Sequence, residues 1–248
     1  MPAALAAALA LALSAPPAFT VVLDPGHGGD KEGALSPAGD KEKDLVLEIS
    51  RRIAQRIRKA GGKVVFTRTG DVSVPLPNRA AIATAIRADL FVSVHLNSMP
   101  TVEQRRHTHG IETYFLSADA SDTHASAVAA RENSDRLAGE PGPDPDDPVA
   151  GILSDLQDAD ALQSSSRLAY DIHAKLVEKL GAEDRGVKQA PFYVLAGARM
   201  PAVLLEVGFI SHEDEGRKLR TREYQERVAD AVVDGIRTFR AETRRASR

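Results

Sequence analysis

Apolar residues recur along the chain in two rhythms, and these lay out an α/β domain. Phe19 to Leu23 (FTVVL) is a short apolar run rich in β-branched residues, the signature of a buried strand. It leads into Asp24-Pro25-Gly26-His27-Gly28-Gly29, and turn signals rich in Pro and Gly continue to Gly39. From about Glu42 to Ala60 the period becomes helical. Leu45, Ile49, Ile53, Ile57 and Ala60 form one stripe, and Gly61-Gly62 stops it. Val64 to Phe66 predicts the next strand, 78–88 a second helix, Leu90 to Val94 a third strand ending at His95, and Ile111 to Leu116 a fourth. Strand–helix–strand–helix–strand order implies parallel crossovers over the first hundred residues.

Beyond that, 119–138 is Ala-rich and predicts a helix. Gly139 to Pro148 (GEPGPDPDDP) is an acidic linker whose prolines cannot continue it. Helices are predicted over 149–157 and 161–180, with Gly181 as a stop, and strands at Phe192 to Leu195 and Ala202 to Glu206. Ser211 is placed to cap a following helix, with Asp214 three residues on, and a last helix is predicted over about 222–242. There are no internal repeats.

Composition narrows the possibilities. Hydrophobic residues make up 43% of the 248, enough for a sizeable core. The net charge of −3 argues against a general polyanion binder, so no nucleic-acid partner is expected. With no Cys, disulfides, thiolate metal sites and Cys nucleophiles are impossible, and a metal would need His, Asp, Glu or carbonyl ligands. Ala3 to Leu13 is too short to span a bilayer as a helix but fits the apolar core of a secretory signal. Ala12 and Ser14 suit cleavage after Ser14, although the segment before the apolar run lacks Lys or Arg. The expectation is a signal peptide over 1–14, a single catalytic domain over 15–248, no stable membrane span after signal removal, and a periplasmic or otherwise secreted product.

Active sites of open α/β sheets lie beyond the carboxyl ends of the strands. His27 follows the first predicted strand, His95 ends the third, Glu206 ends the last, and Glu42 opens the first helix near the same edge. Each has an ordinary alternative. His27 suits a glycine turn, His95 a hydrogen-bonded strand end, Glu42 a dipole-complementing first turn, and Glu206 a solvent-facing strand end. Together at one rim they suit zinc, whose catalytic sites commonly take three protein ligands and keep a fourth position open. His107 and His109 fall in a polar loop with Arg105 and Arg106, while His124, His173 and His212 read as surface residues. Asn97 suits either substrate orientation or a turn-side-chain role.

Six segments in order carry a resemblance: VVLDPGHGG at 21–29, KEKDLVLEI at 41–49, FTRTGD at 66–71, FVSVHLNS at 91–98, GIETYFLS at 110–117 and PAVLLEVGFIS at 201–211. The set resembles the catalytic domain of the zinc-dependent N-acetylmuramoyl-L-alanine amidases of the third amidase family, nearest to the periplasmic cell-division type, over about residues 19–240. The resemblance implies an α/β fold with a mixed, roughly six-stranded sheet flanked by helices. It also implies one zinc ion held by His27, Glu42 and His95, Glu206 as catalytic carboxylate, and peptidoglycan as substrate. The reaction would cut the amide between N-acetylmuramic acid and L-alanine, in cell-wall remodelling or daughter-cell separation. Leu96 stands where relatives often have Ala and His212 where Asn is frequent. The glycan-binding domain that many relatives carry ahead of the catalytic domain is not seen, which leaves septal targeting open.

Residues 119–160 exceed the connection in smaller relatives. In the resembling division amidases an inserted helix occludes the zinc until an activator moves it, so this insert is expected to be regulatory and to dock an activator protein. Glu132 and Glu140 are equal candidates for the occluding carboxylate. The rivals to the amidase reading are a zinc peptidase acting on the stem peptide and a non-catalytic wall-binding module.

Overall fold

The structure, a computed structural model, describes residues 19–136 and 159–246. The expected signal peptide, the 139–148 linker, the 149–157 helix and Glu140 lie outside the described residues.

Six strands form one sheet in the order β2-β1-β3-β6-β4-β5: β1 Thr20–Pro25, β2 Lys63–Phe66, β3 Leu90–Asn97, β4 Ile111–Leu116, β5 Asp184–Ala190 and β6 Ala202–Phe209. Seven helices are described: α1 Glu42–Lys59, α2 Leu76–Ala85, α3 Val102–His107, α4 Thr123–Asn133, α5 Ala159–Leu180, α6 Glu213–Leu219 and α7 Arg222–Ala246. Strands β2, β1 and β3 run parallel, as the crossover order over the first hundred residues implied, and β6 pairs parallel with β3. Strand β4 then pairs antiparallel with β6 and parallel with β5, so the sheet is mixed. Among the described residues, no helix is long and apolar enough to cross a membrane.

The alternation of strand side chains positions the chemistry. On β3, Leu90, Val92, Val94 and Leu96 join one apolar cluster, packed with α1, α5 and α7. Phe91 belongs to a second cluster on the other face, with residues of α2 and α4. A period of two therefore sends Ser93, His95 and Asn97 to the α2/α4 face. The same alternation puts Asp24 of β1, Glu206 of β6, and Glu112 and Tyr114 of β4 on that face. All of these polar residues are buried, and Asp24, Ser93, Asn97, Glu112 and Glu206 are 0% exposed.

Several boundaries differ from the sequence expectation. The strand expected at Phe192 to Leu195 is a turn segment, and the strand of that region is β5, whose residues DRGVKQA are polar and mostly half-buried. Phe192, Val194 and Leu195 are apolar because they pack into the second cluster, with Phe192 tilted against Tyr114 at 5.0 Å between ring centroids. The helix expected over 119–138 is the shorter α4, opened by Asp122, whose side chain accepts from Ala125 N. Helix α2 starts earlier than expected because Pro75 and Pro77 suit a helix start. His212, not Ser211, caps α6, while Ser211 Oγ accepts from Met99 N. Helix α3 was not expected. A Thr101–Gln104 capping box forms it, so His107 ends a helix.

Candidate functional site

Two arginines hold the turn that carries His27. Arg68, just past β2, donates to the carbonyls of Pro25 (3.0 Å), Gly26 (2.7 Å) and Lys43 (2.7 Å). Arg79 of α2 donates to Asp24 Oδ1 (3.0 Å), Pro25 O (3.0 Å) and His27 O (2.8 Å). Asp24 is further held by the hydroxyls of Thr67 (2.5 Å) and Ser93 (2.7 Å). His27 itself sits at φ 58°, in the left-handed region, a conformation stable only where the surroundings fix it. Gly26 allows close approach: a Cβ there would lie 2.5 Å from His95 Nε2.

The structure brings His27, Glu42 and His95 together. Glu42 Oε1 lies 2.9 Å from His27 Nε2 and 3.2 Å from His95 Nδ1, and the two imidazole centroids are 4.8 Å apart in an edge arrangement. Glu42 is oriented by two backbone amides, Leu96 N to Oε1 and Ala34 N to Oε2, each 2.9 Å. His27 Nδ1 lies 3.0 Å from Asp135 Oδ2, which orients the ring so that Nε2 faces the cluster.

A fourth side chain enters from α4. Glu132 Oε2 is 3.0 Å from His95 Nδ1 and 3.5 Å from His27 Nε2, and His27, His95 and Glu132 form a buried group with metal-ligand spacing. Glu132, one of the two candidates in the insert, therefore reaches the cluster.

The electrostatics ask for a cation. Burial opposes charge on His27, but Glu42, Asp135 and Glu132 outweigh it and raise its pKa to about 9. His95 is likewise raised by Glu132 and Glu42 against burial. Burial acts to raise Glu42 and Glu132, yet the facing histidines, with Arg131 for Glu132, hold both carboxylates low. His27 Nε2, His95 Nδ1 and Glu132 Oε2 are buried at ion-pair distance without making a hydrogen bond. Buried polar atoms without such partners are costly unless paired with a cation, and a donor set of two imidazoles and carboxylates fits zinc.

Glu206 lies beside this cluster, level with His95 on the neighbouring strand. Its side chain is wholly buried, Oε2 is unpartnered, and Oε1 lies 3.4 Å from Arg131 Nη2. Burial, aided by Glu132 and Glu42, raises its pKa, with Arg131 and His95 opposing. Across the antiparallel ladder, Glu112 faces Glu206. Glu112 accepts from Asn97 Nδ2 (2.5 Å) and Tyr114 Oη (2.9 Å), and contacts His124 (3.0 Å), Arg185 (3.0 Å) and Lys188 (3.4 Å). His124, Lys188 and Tyr114 overcome the burial penalty and lower its pKa to about 2.

The sequence expectation missed Glu112, Asp135, Arg68, Arg79 and Arg131. A charged residue inside the apolar GIETYF strand was the one available signal for Glu112. His124 and His173 are not surface residues: His124 is half-buried on Glu112, and buried His173 bridges Thr113 Oγ1 (3.1 Å) and Asp184 Oδ1 (2.8 Å). A cleft of about 970 Å³ opens beside the cluster, lined by His27, Glu42, Met99, Arg105, His124 and Arg131 among others.

Comparison with known proteins adds independent findings. The family model described as N-acetylmuramoyl-L-alanine amidase matches residues 21–238. The chain is 34% identical over 226 residues to the N-acetylmuramoyl-L-alanine amidase AmiC of Escherichia coli O6:H1, covering 90% of this chain and 53% of that protein. It is 34% identical over 221 residues to AmiA of Escherichia coli K12, covering 88% and 75%. It thus spans about half of AmiC and three quarters of AmiA. Among solved structures, an amidase from Clostridium difficile 630 superposes with a TM-score of 0.68 at 28% identity, covering 90% of this chain and 96% of that one. The CwlD amidase of Clostridioides difficile, solved in complex with the GerS lipoprotein, gives 0.67 at 26%, covering 90% and 98%.

Proposed function

Because the chain belongs to the N-acetylmuramoyl-L-alanine amidase family, we propose that it hydrolyses the amide between the muramic-acid lactyl group and L-alanine in peptidoglycan, with one zinc ion held by His27, Glu42 and His95. The observation that carries this is the cluster of two imidazoles and Glu42 at the sheet's carboxyl edge, with one buried nitrogen of each ring at ion-pair distance from Glu42, and Glu206 alongside. Bound zinc supplies Lewis acidity that makes a water nucleophilic near neutral pH and draws electrons from the lactyl carbonyl.

The chain's own residues do the rest. Glu42 is fixed by two amides and His27 by Asp135, so the ligands are set before binding. Glu206, buried beside the cluster and level with His95 on the neighbouring strand, takes the water's proton and returns it to the departing nitrogen. A stem-peptide peptidase would use the same ligands, and the family match favours the amidase.

Helix α4 is a regulatory lid in this reading. Glu132 Oε2 lies between the two imidazoles, where it would fill the position left open on a bound metal, while Arg131 pairs with Glu206. A lid favoured by ~3 kcal/mol leaves under about 1% of molecules open. An activator that prefers the open state would dock on the 119–160 insert, and CwlD, a structural relative, was solved bound to a lipoprotein. Export to the periplasm or cell surface and a role in daughter-cell separation complete the proposal.

The test is wall digestion and metal analysis with wild type, His27→Ala, His95→Ala and Glu206→Gln. The histidine variants should lose stoichiometric zinc. Glu206→Gln should keep fold and metal but slow hydrolysis by roughly 10²–10⁴-fold, the usual loss with a general base. Full zinc in both histidine variants, or wild-type cleavage by Glu206→Gln, would refute the assignment.

A further inference from the structure

The Arg131 guanidinium marks a seat on the cleft floor. Nη1 donates to Asn97 Oδ1 (3.0 Å) and Ser98 O (2.8 Å), Nη2 reaches Glu206 Oε1 (3.4 Å), and Nε donates to Glu132 Oε1 (2.8 Å). Glu132 travels with α4, but the other three acceptors belong to the sheet and the loop that follows β3. Asn97 and Glu206 are wholly buried with α4 in place, so its departure opens a position at these acceptors for another donor.

The orientation of Asn97 is fixed chemically. Its Nδ2 donates to Glu112 Oε2 at 2.5 Å, and an ionised carboxylate can only accept. Glu112 is kept in that state by Tyr114, His124, Arg185 and Lys188. The carboxamide therefore cannot flip, and it presents to the Arg131 seat an oxygen that also accepts from Ser98 N at 2.7 Å. The Asn97 oxygen is an acceptor held under the lid beside the proposed proton carrier, with a cationic N–H donor of α4 bridging the two.

We propose that Asn97 is a catalytic residue whose Oδ1 accepts the N–H of the scissile amide, that Arg131 occupies this seat when α4 is closed, and that Glu112 is the positioning residue that turns the Asn97 oxygen toward the cleft. The inference deepens, and rests on, the amidase reading. The step balances. Water adds its hydroxyl to the lactyl carbon and its proton goes to Glu206. The nitrogen becomes pyramidal while its N–H stays on Asn97, which turns the developing lone pair toward Glu206. Glu206 then delivers the proton, the C–N bond breaks, and an amine leaves with two hydrogens, its own and the delivered one. The new carboxyl group ionises and its proton converts the amine to an ammonium. That cationic N–H group has the donor chemistry of the guanidinium it replaces.

An isosteric ester provides the test, because it lacks the N–H and its leaving oxygen needs no such anchor. The parent is the Arg131→Ala/Glu132→Ala variant, which clears the seat. It is assayed on a muramoyl peptide and on its analogue with oxygen in place of the scissile nitrogen. Adding Asn97→Ala should lower kcat on the amide about 10- to 100-fold and leave the ester within about threefold. Adding Glu112→Gln, which keeps side-chain shape but lets the Asn97 carboxamide turn, should shift the amide-to-ester ratio the same way by a smaller factor. Equal losses on both substrates, a purely structural effect, would overturn the inference, as would an unchanged amide rate. If Asn97→Ala fails to fold, Glu112→Gln decides by the same ratio. A parent that cleaves neither substrate overturns the amidase reading, and this inference with it.

Discussion

Gly26→Ala puts one methyl group where the site has no room. A Cβ at Gly26 would lie 2.5 Å from His95 Nε2 and 2.7 Å from Nδ1, with Cε1 nearer still. Ordinary contact is roughly 1 Å longer, so the imidazole must retreat by about that much. It has little freedom to do so, since Nδ1 is set against Glu42 at 3.2 Å and Glu132 at 3.0 Å. The Gly26 backbone cannot yield either, because its N–H donates to Val94 O at 3.0 Å and Arg68 holds its carbonyl. Overpacking of this kind costs about 1–3 kcal/mol. At roughly 2–4 °C per kcal/mol for a chain of this size, Tm should drop by roughly 2–12 °C. Displacing one ligand should also weaken zinc at least about tenfold, as disturbing a ligand's support does elsewhere. The assay is calorimetry paired with a chelator competition for zinc. Gly39→Ala is the control: its φ of +87° adds strain, but nothing lies within 4 Å, so Tm should fall while zinc affinity holds. Wild-type zinc affinity in Gly26→Ala would refute the reasoning that this turn sets the His95 position.

Two further outcomes follow from the buried charges. Glu112 has its pKa lowered from 4.5 to about 2, so its stabilisation is present above about pH 4.5 and lost as pH falls towards 2. Urea melts should show wild type losing about 3 kcal/mol more than Glu112→Gln across that window, and parallel curves would refute it. Glu132→Ala should raise basal wall hydrolysis without any partner, since α4 loses its hold between the imidazoles. A folded, zinc-loaded variant with unchanged basal activity would show that α4 does not restrain the site.

The strands that build the site were legible because they are buried on both faces. FTVVL, LFVSV and AVLLE stand out as apolar runs, and the chemistry lies where those runs end. Strand β5 was not legible, because an edge strand of DRGVKQA is half solvated and reads as a loop. Phe192 to Leu195 misled for the converse reason, as a turn pressed into the core needs apolar side chains too. The proposed ligand triad came from strand ends and from the resemblance. Its supports did not, because Arg68 reaches Lys43 across 25 residues of sequence, Arg79 reaches Asp24 across 55 and Lys188 reaches Glu112 across 76, and no local pattern encodes such pairs. His173 shows the limit for helices: its position on α5 read as surface, but β4 and β5 close over it.

The most direct test of the central claim is hydrolysis of a defined muramoyl peptide in ¹⁸O-labelled water, read by mass spectrometry of both products. The account predicts one ¹⁸O in the lactyl carboxylate of the muramic acid, and an unlabelled peptide beginning with a free L-alanine amine. Label in a stem-peptide carboxylate, with the lactyl amide intact, would contradict it and make the protein a peptidase.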